Sequence, residues 1–385
     1  MSEKQSKHIA LLGSTGTVGK QVLEVVDFHP GEFVVEVLSA QSNAKLLAEQ
    51  ALKYDPNVVV LADSAEYQWL KDQLFDHGIK VYCGDSAIAD VVQMEDIDIV
   101  VNAQSGISGI TPSLKAVEVG KHLALANKES LMVMGDLLTR TASRRRANIY
   151  PLSHGNSAIF QCIVGEFQNK IQRLFLTKSG LTASYSESEL SQGIGKENNF
   201  SSKKRIVDAA THFNVGFEAI ESKWLYGTDT NSLEILNHPQ GVIHGMVQFE
   251  DGSLKTVFAN PDLKLPIQFA LSYPIRLKSN LSDAKLQDTL SISLEKVNVA
   301  ENKALSLCFE VIEAGEMSAC VLNAANDVAT QALIKGQINL SDIPYFVEEC
   351  VAQTQKISDP NLEDYLSCDA GTRIKASELL KTKVS

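Results

Sequence analysis

The chain has 385 residues, which gives room for two or three domains at about 100–200 residues each, and 44% of the residues are hydrophobic. A formal net charge of −12 argues against a nucleic-acid-binding protein, which would carry a basic stripe or domain. The six cysteines form no C-x-x-C pair and no zinc-like spacing, so free thiols in a reducing compartment are expected. The polar N-terminus and the lack of an apolar run of about 20 residues predict a cytoplasmic protein that does not span a membrane.

Apolar runs and amphipathic stretches alternate along the first 150 residues. The runs predict buried strands, which in chain order are HIALLG, FVVEVLSA, NVVVLAD, IKVYCG, IDIVVNAQ and KHLALAN. The stretches between them, such as KQVLEVVDFHP and NAKLLAEQALKYDP, predict helices. Apolar strands that alternate with helices are typical of βαβ units, whose parallel sheet is covered on both faces. We therefore predict an α/β fold with a Rossmann-like dinucleotide-binding domain at residues 1–150.

A glycine-rich motif, G-x-x-G-x-x-G, lies between the first predicted strand and the first predicted helix. Gly13 permits a tight turn, Gly16 lets the backbone approach a pyrophosphate, and Gly19 lets the helix pack closely on the strand. The helix N-terminus then offers amide groups and the positive end of its dipole to the phosphates. The predicted cofactor-binding residues of this loop are Gly13, Ser14, Thr15, Gly16, Thr17, Val18 and Gly19.

The segment after the second strand, SAQSN, contains no aspartate or glutamate. An acidic residue there would bind the ribose diol of NAD and repel a 2′-phosphate. The hydroxyl of Ser42 and the amide of Asn43 suit a phosphate instead, so NADP is favoured over NAD. Alternatively, both residues only cap the helix that follows, which is compatible with either cofactor.

The segment LALANKES follows the last of these apolar runs, at the sheet edge where open α/β folds bind ligands. Lys128 lies between Asn127 and Glu129, and a buried lysine at such an edge is more often functional than structural. We assign Lys128 and Glu129 to catalysis. Asn127 is assigned to the cofactor site together with Ala103, which follows the strand IDIVVN.

With these motifs the sequence resembles the family of 1-deoxy-D-xylulose 5-phosphate reductoisomerases. The matching segments occur in the family's order along nearly the whole chain. They are LLGSTGTVG at 11–19, LANKESL at 125–131, SAIFQC at 157–162, VDAAT at 207–211, NHPQGVIHGMV at 237–247 and LNAANDVA at 322–329. Taken together they are specific to this family, whose enzymes use NADPH and a divalent metal in isoprenoid biosynthesis.

The resemblance implies three structural parts. An NADP-binding domain at 1–150 is followed by an α+β catalytic and dimerisation domain at 151–295, with a lid loop near 185–204, and by a C-terminal helical bundle at 296–385. In the central part, LEILN, GVIHGMVQFED and SLKTVFA predict antiparallel strands, with Asp251-Gly252 as a hairpin turn. From about Glu301 onward the pattern is helical. A homodimer formed through the central sheet is expected.

The family reaction, as the resemblance implies it, has two steps. A divalent metal held by three carboxylates chelates the substrate while the carbon skeleton rearranges to an aldehyde, and the metal stabilises the oxyanions that develop. NADPH then reduces the aldehyde. The first step depends on hard oxygen ligands that carry net negative charge.

The metal-binding positions of the family are altered in this sequence. The segment PLSHGNSAIFQ matches the family pattern in frame and length, which places Ser153 and Gly155 at the first two metal carboxylates and Asn156 at a histidine. Only the third carboxylate remains, as Glu218. One carboxylate with neutral neighbours is a poor Mg²⁺ or Mn²⁺ site. We assign Glu218 to catalysis and to the metal position, and Ser153 and Asn156 to substrate binding.

The substrate phosphate clamp of the family is altered as well. Val215 stands where the family has a lysine and Ala209 where it has a serine, whereas Ser179 and Asn214 persist. The lid segment reads GKENNFSSKK and has lost the family's His-Pro and Trp. Its lysines Lys196, Lys203 and Lys204 can attract a phosphate, although lysines in a mobile polar loop are usually only solvated. We assign Ser179, Asn214 and Lys196 to substrate binding.

Two histidines have no counterpart at their places in the family pattern, His154 and His212. His154 lies beside the former carboxylates and can donate a proton to a carbonyl under reduction, because imidazole titrates near neutral pH. Alternatively, His154, His212 and Glu218 converge on a softer metal such as zinc, or each histidine is an ordinary polar residue of a remodelled pocket.

For several polar residues the sequence does not decide between a structural and a functional role. Glu218 and Glu221 lie one turn apart and can share a helix face, or Glu221 is only a surface residue. The segments His238-Pro239-Gln240 and Asn323–Asn326 are interpreted as structural, with contact to the active site as the alternative, and Asp327 replaces a glutamate of the family.

The leading hypothesis from sequence is an NADPH-dependent oxidoreductase of this family with an altered substrate or mechanism. It would reduce a small carbonyl compound, with or without a phosphate group, and would not carry out the metal-driven rearrangement. Reduction needs only NADPH, a polarising donor and a pocket. The first alternative is the reductoisomerase activity proper. The second is a catalytically inactive NADP-binding homologue.

Overall fold

A computed structural model of the chain describes residues 6–179, 187–197, 199–281, 291–315 and 317–384. The contacts divide it into two compact units. The first contains residues 6–130, 138–153 and 262–281, and the second contains residues 131–137, 154–261 and the described residues from 291 onward. The three-domain division expected from the sequence, with boundaries at 150 and 295, stays a prediction.

The first unit is built from alternating strands and helices. Its strands are β1 (Lys7–Leu12), β2 (Phe33–Ala40), β3 (Val58–Leu61), β4 (Lys80–Cys83), β5 (Ile99–Asn102), β6 (His122–Leu125) and β7 (Ile149–Pro151). Its helices are α1 (Thr17–Phe28), α2 (Ala44–Tyr54), α3 (Tyr67–Leu74), α4 (Asp85–Val91), α5 (Ile110–Glu118), both ends of α6 (Lys128–Arg145), and α11 (Lys264–Ser272), which is numbered by its place in the chain.

These seven strands form one parallel sheet in the order β4-β3-β2-β1-β5-β6-β7. The central strands β1, β3 and β5 are buried along almost their whole length, because helices cover both faces of the sheet. β1 pairs with β2 on one side and with β5 on the other, so the strand order reverses beside β1. The predicted Rossmann-like sheet is confirmed, and its carboxyl edge at β1 and β5 is where doubly wound folds bind ligands.

The second unit combines a mixed sheet with helices. Its strands are β8 (Ile171–Ser179), β9 (Leu233–His238), β10 (Ile243–Phe249), β11 (Leu254–Phe258) and β12 (Glu295–Lys296). Its helices are α7 (His154–Ile163), α8 (Glu187–Lys196), α9 (Phe200–Thr211), α10 (Phe213–Tyr226), α12 (Lys303–Ala314), α13 (Met317–Ile334), α14 (Ile343–Val351) and α15 (Leu362–Val384). The prediction that the chain is helical from about Glu301 onward is confirmed.

The sheet of the second unit has the order β11-β10-β8-β9-β12. β10 and β11 form the predicted antiparallel hairpin, and Gly252 in its turn has φ +84°, a left-handed conformation that suits glycine. The prediction that LEILN joins these strands in an antiparallel order is wrong. β8 lies between β9 and β10, so β9 pairs in parallel with β8 and is antiparallel only to the short strand β12.

The described residues of the predicted lid loop near 185–204 are helical except Glu197 and Asn199. α8 ends at Lys196, and α9 begins at Phe200 after the N-cap residue Asn199, whose side chain accepts a hydrogen bond of 2.8 Å from the amide of Ser202. Lysine and glutamate are good helix formers, which explains why a polar sequence here folds into helices. Residues 180–186 and 198 of this segment lie outside the described residues.

One hydrophobic core runs through the second unit. Side chains of β8, β9 and α10 pack in the same cluster as those of the four C-terminal helices, with Phe213, Leu305 and Leu322 among the residues that are almost completely buried. The six cysteines all lie within the described residues, and none of them forms a disulfide. Within the described residues, no helix is long and apolar enough to cross a lipid bilayer.

Candidate functional site

The glycine loop after β1 makes a turn that only glycines permit. Gly13 has φ +77°, and a Cβ atom on it would lie 2.7 Å from the carbonyl oxygen of Ala103 at the end of β5. A Cβ on Gly19 would lie 2.3 Å from the carbonyl oxygen of Gly13, so the close approach is between α1 and the loop itself. The tight turn predicted for Gly13 is therefore supported by the geometry, whereas Gly19 allows α1 to approach the loop rather than the strand.

The N-terminus of α1 is open at the carboxyl edge of the sheet. Gly16 is its N-cap and provides no side-chain cap, and Gly16 and Thr17 are exposed. Thr15 and Val18 are partly exposed. Uncapped amide groups at a helix N-terminus are suited to bind a phosphate or pyrophosphate, and the chain therefore fits a dinucleotide at this position.

Ser14 departs from its predicted role as a cofactor contact. Its side chain is fully buried, and its hydroxyl lies 2.7 Å from Oε1 of Gln50 and 3.2 Å from the carbonyl oxygen of Ser39. The amide of Ser14 donates to the same carbonyl at 2.8 Å. Ser14 therefore ties the loop to β2 and α2, and its hydroxyl faces the protein interior.

The segment that follows β2 carries the residues expected to select the cofactor. Asn43 is the N-cap of α2, and its side chain accepts a hydrogen bond of 3.1 Å from the amide of Leu46. For Asn43 the capping alternative therefore describes the structure. Ser42 is exposed, and no acidic side chain occurs between Ser39 and Asn43, so a 2′-phosphate meets no negative charge from this segment.

Asn127 braces the loop after β5, contrary to its assignment to the cofactor. It is buried, and its Nδ2 lies within hydrogen-bond distance of the carbonyl oxygens of Gln104 (3.1 Å) and Gly106 (2.9 Å) and of the Glu129 carboxylate (3.0 Å). Its Oδ1 accepts from the amide of Ser130 at 2.9 Å. Lys128, the first residue of α6, is half-buried at this edge.

In the second unit, the carboxylate of Glu218 takes the space beside Gly155. A Cβ atom on Gly155 would lie 2.4 Å from Oε2 of Glu218 and 2.8 Å from a methyl carbon of Leu176. A side chain at position 155 would therefore displace Glu218 from its present place. Glu218 matches the third metal carboxylate of the family, and Gly155 matches the second. The Glu218 carboxylate therefore packs against the position where the family pattern has another carboxylate.

Asn156 is a structural residue rather than a substrate contact. It is fully buried, its Oδ1 accepts a hydrogen bond of 2.6 Å from the hydroxyl of Ser222, and its Nδ2 donates to the carbonyl oxygen of Glu218 at 3.1 Å. Nδ2 also lies 3.3 Å from the carboxylate of Glu221. Glu221 is only 5% exposed, so the alternative that it is a surface residue is wrong.

Tyr226 completes this buried group and was not anticipated from the sequence. Its hydroxyl donates a hydrogen bond to the backbone carbonyl of Asn156. Burial, and then the negative charge of Glu221, raise the pKa of Tyr226 well above its usual value, so it stays a neutral donor. The group joins α7 to α10 and fixes the helix that carries Glu218.

The predicted zinc arrangement is not formed. Within the parts of the chain that the structure describes, no three His, Cys, Asp or Glu side chains are grouped to hold a metal ion. The ring of His154 lies against that of His244, with 5.0 Å between the ring centres. His212 instead contacts Lys178 and Asn302. The zinc alternative, in which His154, His212 and Glu218 converge, is therefore wrong.

The same residues do not fit the family's magnesium or manganese ion. A hard dication is held by several anionic oxygens. Of the three matched positions only Glu218 supplies one, and Gly155 supplies no side chain. Ser153 offers a neutral hydroxyl, which is buried and has no hydrogen-bond partner within the described residues. We derive no reaction step through a metal from this donor set.

His212 lies between α9 and α10 in a left-handed conformation, with φ +72°. Its Nε2 is hydrogen-bonded to the amine of Lys178, and its Nδ1 lies 2.6 Å from Nδ2 of Asn302. Burial, and then the charge of Lys178, lower the pKa of His212 to about 4. His212 is therefore neutral near pH 7. Lys178 gave no signal in the sequence, since an isolated lysine on a strand is usually solvated.

The residues assigned to the substrate phosphate differ in their surroundings. Asn214 has a buried Oδ1 that has no hydrogen-bond partner within the described residues, so it is a group that a ligand can satisfy. Lys196 is exposed at the end of α8. Ser179 ends β8, and its side chain lies outside the described part of the chain.

Lys204 is not a solvated lysine of a loop. Its side chain is 11% exposed, and its amine lies 2.7 Å from the carboxylate of Asp208 and 3.5 Å from that of Asp327. Arg373 bridges Asp327 at 2.8 Å and Asp369 at 2.7 Å on the other side. Asn326 donates to Asp208 at 2.8 Å. These contacts support the structural interpretation of Asn326.

The fold and the glycine loop together define a dinucleotide-binding protein with an attached mixed α/β unit. Two family models match the chain, 1-deoxy-D-xylulose 5-phosphate reductoisomerase over residues 9–135 and the DXP reductoisomerase C-terminal domain over residues 258–375. A 1-deoxy-D-xylulose 5-phosphate reductoisomerase of Bacteroides fragilis is 37% identical over 386 residues, which covers 99% of this chain and 100% of that protein. One of Porphyromonas gingivalis is 38% identical and covers 97% of this chain and 98% of its own length.

Solved structures agree with these relatives. The enzyme from Zymomonas mobilis in complex with NADPH superposes with a TM-score of 0.90 at 29% identity and covers 98% of this chain and 99% of its own. A reductoisomerase in complex with NADPH, fosmidomycin and magnesium gives a TM-score of 0.88 at 28% identity, with 97% and 98% coverage. The chain belongs to the 1-deoxy-D-xylulose 5-phosphate reductoisomerase family, and the resemblance inferred from its motifs is confirmed.

The comparisons support some of the hypotheses from sequence and not others. They support NADPH as the cofactor of the family and an oxidoreductase class. They support the reductoisomerase activity, which the sequence placed as an alternative, better than an altered mechanism. They do not support the doubt about a metal, because solved members contain magnesium.

Proposed function

We propose that this chain is an NADPH-dependent oxidoreductase that reduces a small carbonyl compound related to 1-deoxy-D-xylulose 5-phosphate. The observation that carries the proposal is the glycine loop beside β1, where an uncapped helix N-terminus meets the switch point of the sheet. The hydroxyl of Ser42 is proposed to bind the 2′-phosphate. Lys128, at the N-terminus of α6, is proposed to polarise the carbonyl. The role of His154 as a proton donor stays a prediction from the sequence.

Two candidate reactions share this reductive step. The complete reaction, rearrangement followed by reduction, is favoured by the full-length similarity to enzymes named for it, at 37% identity over 99% of the chain. Reduction without rearrangement is favoured by the donor set at Ser153, Gly155 and Glu218, which lacks two of the three carboxylates. The metal supplies the Lewis acid for the rearrangement in the family, so the two candidates differ in that step alone.

One experiment separates them. NADPH oxidation is followed with 1-deoxy-D-xylulose 5-phosphate and, in parallel, with the rearranged aldehyde phosphate supplied directly, each with and without Mg²⁺ or Mn²⁺. Metal-dependent turnover of the first compound supports the complete reaction. Turnover of the aldehyde alone supports reduction without rearrangement.

The remaining outcome is tight NADPH binding without turnover of either compound, which supports the inactive homologue and contradicts the proposal. Calorimetry with NADPH on the same preparation shows whether the protein is intact. Lys128→Met is the matched variant, because it removes the polarising amine without touching the glycine loop. A cytoplasmic location, a homodimer and the absence of membrane or nucleic-acid partners stay predictions from the sequence.

A further inference from the structure

Three side chains of the second unit form a hydrogen-bonded row that no step of the proposed reduction uses. Lys178 comes from β8, His212 from the junction of α9 and α10, and Asn302 from the start of α12. The amine of Lys178 contacts Nε2 of His212, and Nδ1 of His212 lies 2.6 Å from Nδ2 of Asn302. The row therefore links a strand end to a helix cap through one imidazole.

The orientation of the Asn302 amide is fixed by its role as N-cap. Its Oδ1 accepts a hydrogen bond of 3.0 Å from the amide of Leu305, in the first turn of α12. If the side-chain amide of Asn302 were rotated by 180°, its NH₂ group would face the backbone N–H of Leu305. Two donors would then oppose each other at this cap. The group that faces His212 is therefore the NH₂ of Asn302, which can only donate.

This orientation determines the tautomer of His212. Since Asn302 donates to Nδ1, that nitrogen must accept and carries no proton. A neutral imidazole then has its proton on Nε2, which points at the amine of Lys178. A protonated lysine has three N–H groups and no lone pair, so it cannot accept this hydrogen bond. The row is satisfied when Lys178 is a neutral amine.

The surroundings favour the same charge state. Lys178 is partly buried, and burial lowers its pKa because the charged amine loses hydration. Burial is the first cause that lowers the pKa of His212, so the ring is neutral near pH 7 and no positive charge competes for the Nε2 proton. Among the described residues, burial is the cause of the lowered pKa of Lys178.

We propose that Lys178 is held as a neutral, nucleophilic amine that forms an imine with small aldehydes or ketones. The amine lone pair attacks the carbonyl carbon, and the carbinolamine then loses its oxygen as water to give the imine, with no oxidant or reductant involved. The carbonyl class is that of the proposed substrate, but the reactivity of Lys178 does not depend on NADPH or on turnover.

The test is chemical trapping on the full chain at pH 7. The protein is incubated with glycolaldehyde phosphate, and separately with the uncharged probe propionaldehyde, and imines are reduced with cyanoborohydride. Peptide mass spectrometry then gives the labelling of each lysine. Lys178 should be labelled about tenfold faster than exposed lysines such as Lys196, because only the neutral amine reacts.

Asn302→Asp is the variant that isolates the cause. Aspartate keeps the N-cap acceptor for Leu305 but replaces the NH₂ donor with an oxygen that only accepts. His212 must then carry its proton on Nδ1, Nε2 becomes the acceptor, and a protonated Lys178 fits the row. Labelling of Lys178 should fall to the level of Lys196 while the thermal midpoint stays near that of the unmodified protein.

Lys178→Arg removes the primary amine at position 178, so it gives the background labelling signal of the peptide that contains this position. Equal labelling of Lys178 and Lys196 in the unmodified chain would overturn the proposal, and so would undiminished labelling of Lys178 in Asn302→Asp. If NADPH turnover is absent but Lys178 is selectively trapped, the proposed function fails and this inference stands. If NADPH turnover is found but Lys178 is not selectively trapped, only the inference fails.

Discussion

Replacing Gly155 with alanine tests whether the Glu218 carboxylate occupies the place left by the missing side chain. In α7 the substitution alone should stabilise the helix by less than about 1 kcal/mol, because the full penalty for glycine holds in a helix interior and Gly155 is only the second residue of the helix. The added methyl group would lie 2.4 Å from Oε2 of Glu218 and 2.8 Å from Leu176, and overpacking of this kind costs about 1–3 kcal/mol. Both neighbours are flexible side-chain ends, so we expect a net loss of about 1 kcal/mol.

Gly371→Ala is the matched control, since Gly371 lies inside α15 of the same unit and has no atom within 4 Å of the Cβ position. It should stabilise the protein by about 1 kcal/mol. Urea unfolding, compared through midpoints and slopes, reports both variants on the same unit. Equal stabilisation by the two substitutions would refute the inferred contact between Glu218 and Gly155.

Three further predictions rest on single sites. Ser42→Asp places a carboxylate at the proposed 2′-phosphate position, so the affinity for NADPH should fall by about tenfold or more while the affinity for NADH stays the same. An equal loss of affinity for both cofactors, measured by calorimetry, would contradict this role. Arg373→Met removes the cation shared by Asp327 and Asp369, whose side chains are 9% and 6% exposed. We expect the free energy of unfolding, measured with urea, to fall by about 3–5 kcal/mol and to recover in part with Arg373→Lys. His212, with its pKa lowered from 6.5 to about 4, takes up a proton only in the unfolded state between these values. The free energy of unfolding should therefore decrease as the pH falls through that window, and an NMR titration of the ring near 6.5 would refute the assignment.

The first sheet was predictable because its signals are local. Apolar strands between amphipathic helices, and glycines spaced around a turn, indicate a parallel sheet and a phosphate loop without knowledge of distant contacts. Ser14 and Asn127 lie in those same motifs, but their side chains turn inward to Gln50 and to the loop at Gln104–Gly106. The direction of a side chain depends on tertiary neighbours that a motif does not specify.

The second unit was predicted less well because its contacts are distant in sequence. β8 separates β9 from β10, although β9 and β10 follow each other in the chain and invite the expectation of a hairpin. The losses at Ser153 and Gly155 were visible from the family pattern, but the position of the Glu218 carboxylate against Gly155 was not. The role proposed for Lys178 depends on His212 and Asn302, which come from distant parts of the chain.

The hydrophobic core that joins β8, β9 and α10 to the four C-terminal helices has a practical consequence. A shortened protein that stops near residue 300 would lack α12 to α15 and would expose apolar side chains of the same core cluster, such as Phe213 on α10. Such a fragment should be recovered as aggregated material rather than as a working catalytic piece. Tags, fusions and truncations of this chain are therefore best placed so that α12 to α15 stay intact.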